Sequence, residues 1–379
     1  MNSDLCKKLN IEFPLFAFSH CRDVVVAVTN AGGMGVLGCV GMTPDELEAD
    51  LCWIDSKVNG GSYGVDLIVP NKFESKGEEI NNEQLLSMVP ESHSNFAKDL
   101  MKSYDVPIDT YDLEMSDHLV FRENISLEGA KRSLEVAFSH PIKLIANALG
   151  VPPGFMIKMG KENGVAVAAL VGTKEHALKQ VEANVDILIA SGGEAGGHCG
   201  DVATMVLVPE VVRAVRKISS IPILAAGGIV TGEQMAAAMA MGAAGAWCGS
   251  VWLTSPEAET NQVVKEKMLK ASSRDTVRAK SRTGKPSRQL KSPWTEAWEN
   301  NKTIEPLPMP LQSLVSEPAL LKFDKLANSG HQGAADLATY WVGQGVGLMN
   351  QPISSKAIVQ EFKVDFSEAY ERLLNLMED

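Results

Sequence analysis

The sequence predicts an α/β fold: a (β/α)8 TIM barrel with an insertion after strand three and a C-terminal, mostly helical extension. Three observations lead there. Short apolar runs rich in β-branched residues alternate with helical patterns through residues 14–250, the mark of parallel βαβ units. Eight such runs occur, and eight is the count that closes a barrel rather than leaving an open sheet. The last three runs end in glycine-rich segments, at the strand exits where barrels build their sites.

The predicted strands, in order, are "PLFAFS" (14–19), "MGVLGCV" (34–40), "SYGVDLIV" (62–69), "IKLIANA" (142–148), "GVAVAALV" (164–171), "DILIAS" (186–191), "PILAAG" (222–227) and "GAWCGS" (245–250). Helical patterns occupy 22–31, 44–57, 126–139, 174–183, 209–218 and 232–241. "VPPGFMIKMGKEN", between strands four and five, carries a weaker one. Residues 221–253 are apolar enough to suggest a membrane span, but Glu233 and repeated glycines interrupt them, and they read as strand, helix, strand. No internal repeat is visible. The barrel is assigned to residues 1–70 and 126–271, the polar stretch 71–125 to an insertion or lid, and 272–379 to the extension packing on the barrel. Segments that follow barrel strands emerge at the C-terminal face, which favours a lid over idle surface.

Composition narrows the function. Lys plus Arg is 35 against 47 Asp plus Glu, a net charge of −12, which argues against nucleic acid or an anionic membrane as partner. The basic run "RTGKPSRQLK" (282–291) lacks aromatic interleaving and reads as a solvated loop or lid. The six cysteines are scattered without a C-x-x-C pair, so neither a zinc site nor a redox dithiol is expected. The N-terminus "MNSDLCKKLNIEFP" has no apolar secretory core, and a cytoplasmic location is expected.

"GMGVLG" (33–38) has the spacing of a dinucleotide loop, but a helix precedes it and a strand follows, the reverse of the required order. "GQGVG" (343–347) lacks the spacing altogether. "AAGGI" (225–229) and "CGS" (248–250) are different: they end strands seven and eight. Bare glycine backbone at these two exits suits a phosphate, so phosphate binding is favoured over empty tight turns. "SGGEAGGHCGD" (191–201) leaves strand six beside them. Its glycines let backbone lie flat on a planar ligand, and His198 stands at the tip as the candidate catalytic group. Glu194 either braces this loop or takes part in chemistry.

"ILIASGGEAGGHCGD", "IPILAAGGIVTGEQMAAAMAMGAAGAWCGSVWL" and "GQGVGLM" closely resemble the nitronate monooxygenase (2-nitropropane dioxygenase-like) flavoproteins, from Phe13 to about Trp252 with weaker echoes to residue 350. Flavin enoyl-acyl-carrier-protein reductases share the first two motifs. The resemblance implies an FMN-containing barrel with an added, largely helical domain. It implies that FMN phosphate rests on backbone of Gly227, Gly228, Gly249 and Ser250. The ring system would lie near Ala17, Phe18 and Ser19, near Asp66, and against Ser191, Gly196 and Gly197, with His198 as the active-site histidine. The implied reaction oxidises alkyl nitronates, with nitroalkanes as a further substrate class, using O2 to give carbonyl compounds and nitrite. Two departures bear on the substrate. "FAFSHCRD" replaces the family's Q-x-P-M after strand one, and Asp66 stands where an asparagine is usual. His20 then adds a second imidazole, either for substrate contact or for packing at a helix start.

The leading expectation is an FMN-dependent monooxygenase acting on a small-molecule substrate and O2, with a homodimer allowed. The alternatives are an NAD(P)H-dependent flavin reductase of enoyl thioesters or quinones, and a non-catalytic flavin-binding partner subunit.

Overall fold

The structure, a computed structural model, describes residues 1–69, 82–108 and 126–377. The predicted insertion 71–125 therefore lies partly outside the described residues. The strands are β1 (Leu15–Ser19), β2 (Met34–Gly38), β3 (Gly64–Leu67), β4 (Leu144–Asn147), β5 (Ala166–Val171), β6 (Ile187–Ser191), the two-residue β7 (Gly197–His198), β8 (Ile223–Ala226) and β9 (Gly245–Cys248). All but β7 form one closed barrel in the order β1-β2-β3-β4-β5-β6-β8-β9, with β9 pairing back onto β1. Each predicted barrel strand is present, shortened by a residue or two at its ends.

The strands are mainly apolar on both faces because each has a core on each side, the inward face of β3 with Gly64 and Asp66 being an exception. Phe16, Met34, Val36, Leu144, Ile187, Ile189, Leu224 and Trp247 fill the interior. Leu5, Cys6 and Leu9 of the short helix Asp4–Leu9 close it from below, capped by Ser3, whose side chain accepts from Cys6 N. The alternate strand residues pack outward under the surrounding helices: Leu37 and Val65 in one cluster with Val25 of the helix Arg22–Asn30, Leu15 and Ala17 in another with Val24. The helix Pro44–Lys57 begins where its sequence says, at a Thr43–Glu46 capping box with proline in the first turn. "GMGVLG" spans the entry to β2 and β2 itself, as its order implied. A Cβ on Gly35 would come within 2.3 Å of Val25 O, so this glycine serves close helix-on-strand packing.

The apolar stretch 221–253 is β8, the helix Gly232–Ala240 and β9. Among the described residues no helix is long and apolar enough to cross a membrane. All six cysteines are free.

The extension is mainly helical, with Pro293–Asn300, Leu311–Asn328, Gln332–Leu337 and Ser355–Asn375. It also contains two strands that the sequence did not announce, β10 (Thr276–Ala279) and β11 (Ser287–Leu290), paired antiparallel. β11 continues onto β7, with Ser287 opposite His198 and Arg288 opposite Gly197. The run "RTGKPSRQLK" is thus the turn and second strand of a hairpin laid over the barrel mouth. Arg282 and Thr283 are buried, which corrects the expectation of a solvated loop for this part of it. The final helix packs on the helix Gly232–Ala240: Asp365 accepts from Gly232 N, and a Cβ on Gly232 would strike Phe362 O at 2.1 Å.

Candidate active site

Gly227 and Gly228 leave β8 with φ of 106° and 72°, a region that side-chain-bearing residues rarely occupy. Space forbids one at Gly227 as well, since a Cβ would lie 2.7 Å from Thr204 Oγ1. Gly249 and Ser250 leave β9 next door, Ser250 opening a single 3-10 turn. Among the described residues no carbonyl or side chain accepts the N–H of Gly227, Gly228 or Gly249. Backbone donors left open on two adjacent strand exits fit a phosphate group. Ser250 Oγ already accepts from Gly343 N at 2.8 Å, so its backbone rather than its hydroxyl is available.

The loop after β6 is held from three directions. Glu194 accepts from Thr204 N and Thr204 Oγ1, both at 2.9 Å. It thereby supplies the cap that Ala203 cannot give to the helix Thr204–Val215. Thr204 Oγ1 is also 2.9 Å from Gly227 O, which couples the exits of β6 and β8. Glu194 is therefore a brace. The extension provides the other two ties: Arg288 Nε and Nη2 donate to Gly193 O at 2.9 and 2.8 Å, and Gln344 N donates to Glu194 O at 2.9 Å. "GQGVG" packs against the same loops. A Cβ on Gly343 would meet Glu194 O at 2.6 Å, and one on Gly345 would meet Gly228 O at 2.7 Å.

His198, on β7, stands at the mouth with Nε2 2.8 Å from Thr283 Oγ1. Trp341 lies beside it, ring centroids 6.2 Å apart. The imidazole keeps exposed surface, yet protein crowds it on most sides. That partial desolvation lowers its pKa, and the positive charges of Lys285 and Arg282 lower it further. Arg282 is itself buried, with its guanidinium forked onto Glu317 at 2.9 and 3.0 Å and set over the Trp341 ring at 4.2 Å.

The opposite side of the mouth comes from β1 to β3. Phe18 projects inward, stacked on Trp247 with centroids 6.1 Å apart and edge-on to His20 at 5.1 Å. Ala17 faces away from the axis, leaving only its backbone to the mouth, and Ser19 Oγ accepts from Cys21 N. His20 Nδ1 donates to Gly38 O at 2.9 Å; a carbonyl can only accept, so the ring presents Nε2 as its open nitrogen. Desolvation lowers the His20 pKa against that hydrogen bond. Asp66 shares the inward face of β3 with Gly64 and is only 2% exposed. Burial raises its pKa well above the ordinary carboxylate value, which favours the protonated form. Ser191, the last residue of β6, turns inward, half-buried.

The structure thus gathers Phe18, His20, Asp66, Ser191 and His198 with Gly227, Gly228, Gly249 and Ser250 at one end of the barrel. Sequence reasoning missed Thr283, Lys285, Arg282 and Trp341. Their ordering onto His198 depends on β7–β11 pairing across roughly ninety positions, for which only "GQGVGLM" gave any hint.

A closed barrel with its chemistry-bearing loops at the C-terminal mouth defines a TIM-barrel enzyme. Comparison with known proteins narrows the class. The sequence model described as nitronate monooxygenase matches residues 2–365. A protein of Mycobacterium tuberculosis, named there as a candidate monooxygenase, is 47% identical over 382 residues, covering 100% of both chains. A Staphylococcus saprophyticus protein named "Probable nitronate monooxygenase" is 27% identical over 96% of this chain and 97% of its own. FabK from Thermotoga maritima superposes with a TM-score of 0.70 at 27% identity, over 99% of each chain. A nitroalkane oxidase from Streptomyces ansochromogenes has a TM-score of 0.78, over 98% of this chain and 100% of its own; at 23% identity it speaks for the fold alone. The chain belongs to the nitronate monooxygenase family, and it is an oxidoreductase of that flavoenzyme group.

Proposed function

We propose that this chain is an FMN-dependent nitronate monooxygenase, oxidising alkyl nitronates, and nitroalkanes after loss of a proton, with O2 to carbonyl compounds and nitrite. The observation that carries the reading is the charge around His198. In a chain of net charge −12, Lys285 and Arg282 make the field at this imidazole positive, which favours an anionic substrate over a neutral one. FMN, when bound, would supply the electron acceptor and the site of reaction with dioxygen. The open N–H groups of Gly227, Gly228 and Gly249, with Ser250 N, would hold its phosphate. Phe18, Ser191, Gly196, Gly197 and the backbone of Ala17 and Ser19 would border the ring. Asp66 as a neutral acid donates a hydrogen bond as an asparagine amide does, without setting a negative charge against the reduced flavin.

Thr283 Oγ1 is 3.3 Å from Lys285 O and can donate there. His198 Nε2–H then donates to Thr283, and Nδ1 keeps its lone pair for the nitroalkane proton or, once protonated, for the nitronate. On this reading residues 1–70 and 126–271 form the FMN-binding barrel, 71–125 the insertion and 272–379 the extension, in a cytoplasmic enzyme for which a homodimer is allowed. The test is anaerobic mixing with a preformed nitronate. Rapid loss of the oxidised flavin bands is expected, and no loss within a turnover time would sink the proposal. The second reading, an NAD(P)H-dependent flavin reductase of enoyl thioesters or quinones, draws on the likeness to FabK. Bleaching by NADH or NADPH but not by nitronate would select it.

A further inference from the structure

A second set of ligating side chains lies outside the barrel mouth. The helix Pro44–Lys57 carries Glu48, Cys52 and Asp55, spaced four and three residues apart and hence on one face. His140, directly after the helix Leu127–Ser139, turns its ring onto that face, with only 6% of its side chain exposed. Asp55 Oδ2 accepts from His140 Nδ1 at 2.7 Å, and Tyr63 OH in turn donates to Asp55 Oδ1 at 2.6 Å. The ring is thereby fixed with Nε2 toward Glu48 and Cys52. Nε2 is 3.1 Å from Glu48 Oε2, and Cys52 Sγ is 3.5 Å from Glu48 Oε1. One ligand atom from each of the three lies within 4.8 Å of the other two.

We propose that Glu48, Cys52 and His140 form a zinc site, with Asp55 positioning His140 from behind and water as the fourth ligand. Zinc takes sulfur, imidazole and carboxylate together, at about 2.3 Å for sulfur and about 2.0–2.2 Å for nitrogen and oxygen. A tetrahedron of those bonds has edges of about 3.3–3.6 Å; the three ligand atoms lie within 4.8 Å of one another, so closing on an ion takes a contraction of about an ångström and a choice of one Glu48 oxygen. The thiolate and imidazole argue against magnesium or calcium, which prefer oxygen shells. A carboxylate on the far ring nitrogen is the usual support for a zinc-bound histidine. The ion would tie the end of the helix after β2 to the segment entering β4, near the N-terminal ends of β3 and β4. The sequence hides this, since Glu48 and Cys52 have no nearby ligand and His140 is far along the chain. A metal-free cluster uses Cys52 only as a weak donor to Glu48, whereas a zinc site needs its thiolate as a ligand, and that difference is measurable.

The test uses the full-length flavin-loaded protein, stripped with chelator and kept reduced, then titrated with Co2+ and with Zn2+. One equivalent of cobalt is expected to produce tetrahedral d–d bands in the red, clear of flavin absorption, and micromolar zinc is expected to displace it. Cys52→Ser and His140→Gln should each weaken zinc binding by more than about 100-fold. Asp55→Asn should weaken it by about 10–100-fold, as expected for a group acting through a ligand. Cys52 is exposed, so its serine variant keeps the fold and makes a fair control. No zinc bound at micromolar concentration, a stoichiometry other than one, or less than a tenfold effect of Cys52→Ser overturns the proposal.

Discussion

The two sides of the barrel mouth are built on different plans. The exits of β6, β8 and β9 are almost bare backbone, clamped by Arg288, Gln344 and Gly343 of the extension. The exits of β1 to β3 present side chains, Phe18, His20 and Asp66, supported mainly within the barrel. Backbone donors cannot be titrated or removed by mutation, which suits a constant ligand group. Side chains can be exchanged singly, and both departures from the family pattern, "FAFSHCRD" and Asp66, fall on this second side. On the proposed reading, cofactor binding and substrate choice would be separable in this chain.

The sharpest way to break the contrast is Gly228→Asp. It places a carboxylate among the open N–H groups, in a backbone conformation of φ 72° that aspartate adopts reluctantly. Complete loss of FMN retention with an unchanged circular dichroism spectrum is expected. Stoichiometric FMN on the purified variant would move the phosphate elsewhere. Next is His198→Asn, which should keep FMN but lower turnover on the order of 100-fold or more. The loss should be greater with a neutral nitroalkane than with its preformed nitronate. Equal losses would make His198 an orienting group and not the base.

The clamp itself can be tested at Glu317. Its side chain is 24% exposed and its partner Arg282 only 10%, so Glu317→Gln leaves a buried guanidinium short of its counter-charge. A destabilisation of about 3 kcal/mol is expected in denaturant titration, together with slower turnover as the hairpin behind His198 loosens. A stable, fully active variant would show that the pair does not hold the hairpin.

Asp66→Asn should have a smaller effect with a defined pH dependence. Burial raises the folded pKa of Asp66 above its ordinary 3.8, so the unfolded chain releases this proton first as pH rises. Wild-type stability therefore falls with increasing pH between those two pKa values. The asparagine variant should melt higher than wild type at neutral pH, and its advantage should fade as pH approaches about 4. A constant difference would show that Asp66 is not the titrating group. The mildest expected change is His20→Asn, which should alter relative kcat/KM among nitronates while leaving flavin reduction by a small one nearly intact. A uniform loss across substrates would move His20 into the chemistry.

How much of this was legible follows from the range of the interactions. Each barrel strand is a local apolar run, and each helix with its own cap, such as Thr43 with Glu46, starts where the sequence puts it. The helix predicted at 209–218 begins at Thr204 instead. Pro209 looks like a helix start, but the actual cap is Glu194, ten residues upstream in a glycine loop. The placing of His198 and of Gly227, Gly228 and Gly249 at the barrel mouth was readable because their motifs are contiguous. Thr283, Lys285 and Trp341 were not, because their positions depend on strand pairing between segments distant in the chain. The hairpin was hidden also because its residues are polar and basic, while its burial comes from the Arg282–Glu317 pair and the tryptophan beneath it.

The antiparallel pairing of β7 with β11 also has a consequence for biosynthesis. During synthesis the eight barrel strands leave the ribosome by Cys248, yet the strand that carries His198 pairs only once Ser287 and Arg288 follow, and the Ser250 hydroxyl meets the N–H of Gly343 later still. The nascent barrel can close before its site can. On the proposed reading flavin would be captured late, once the extension has folded over a mouth that was made first.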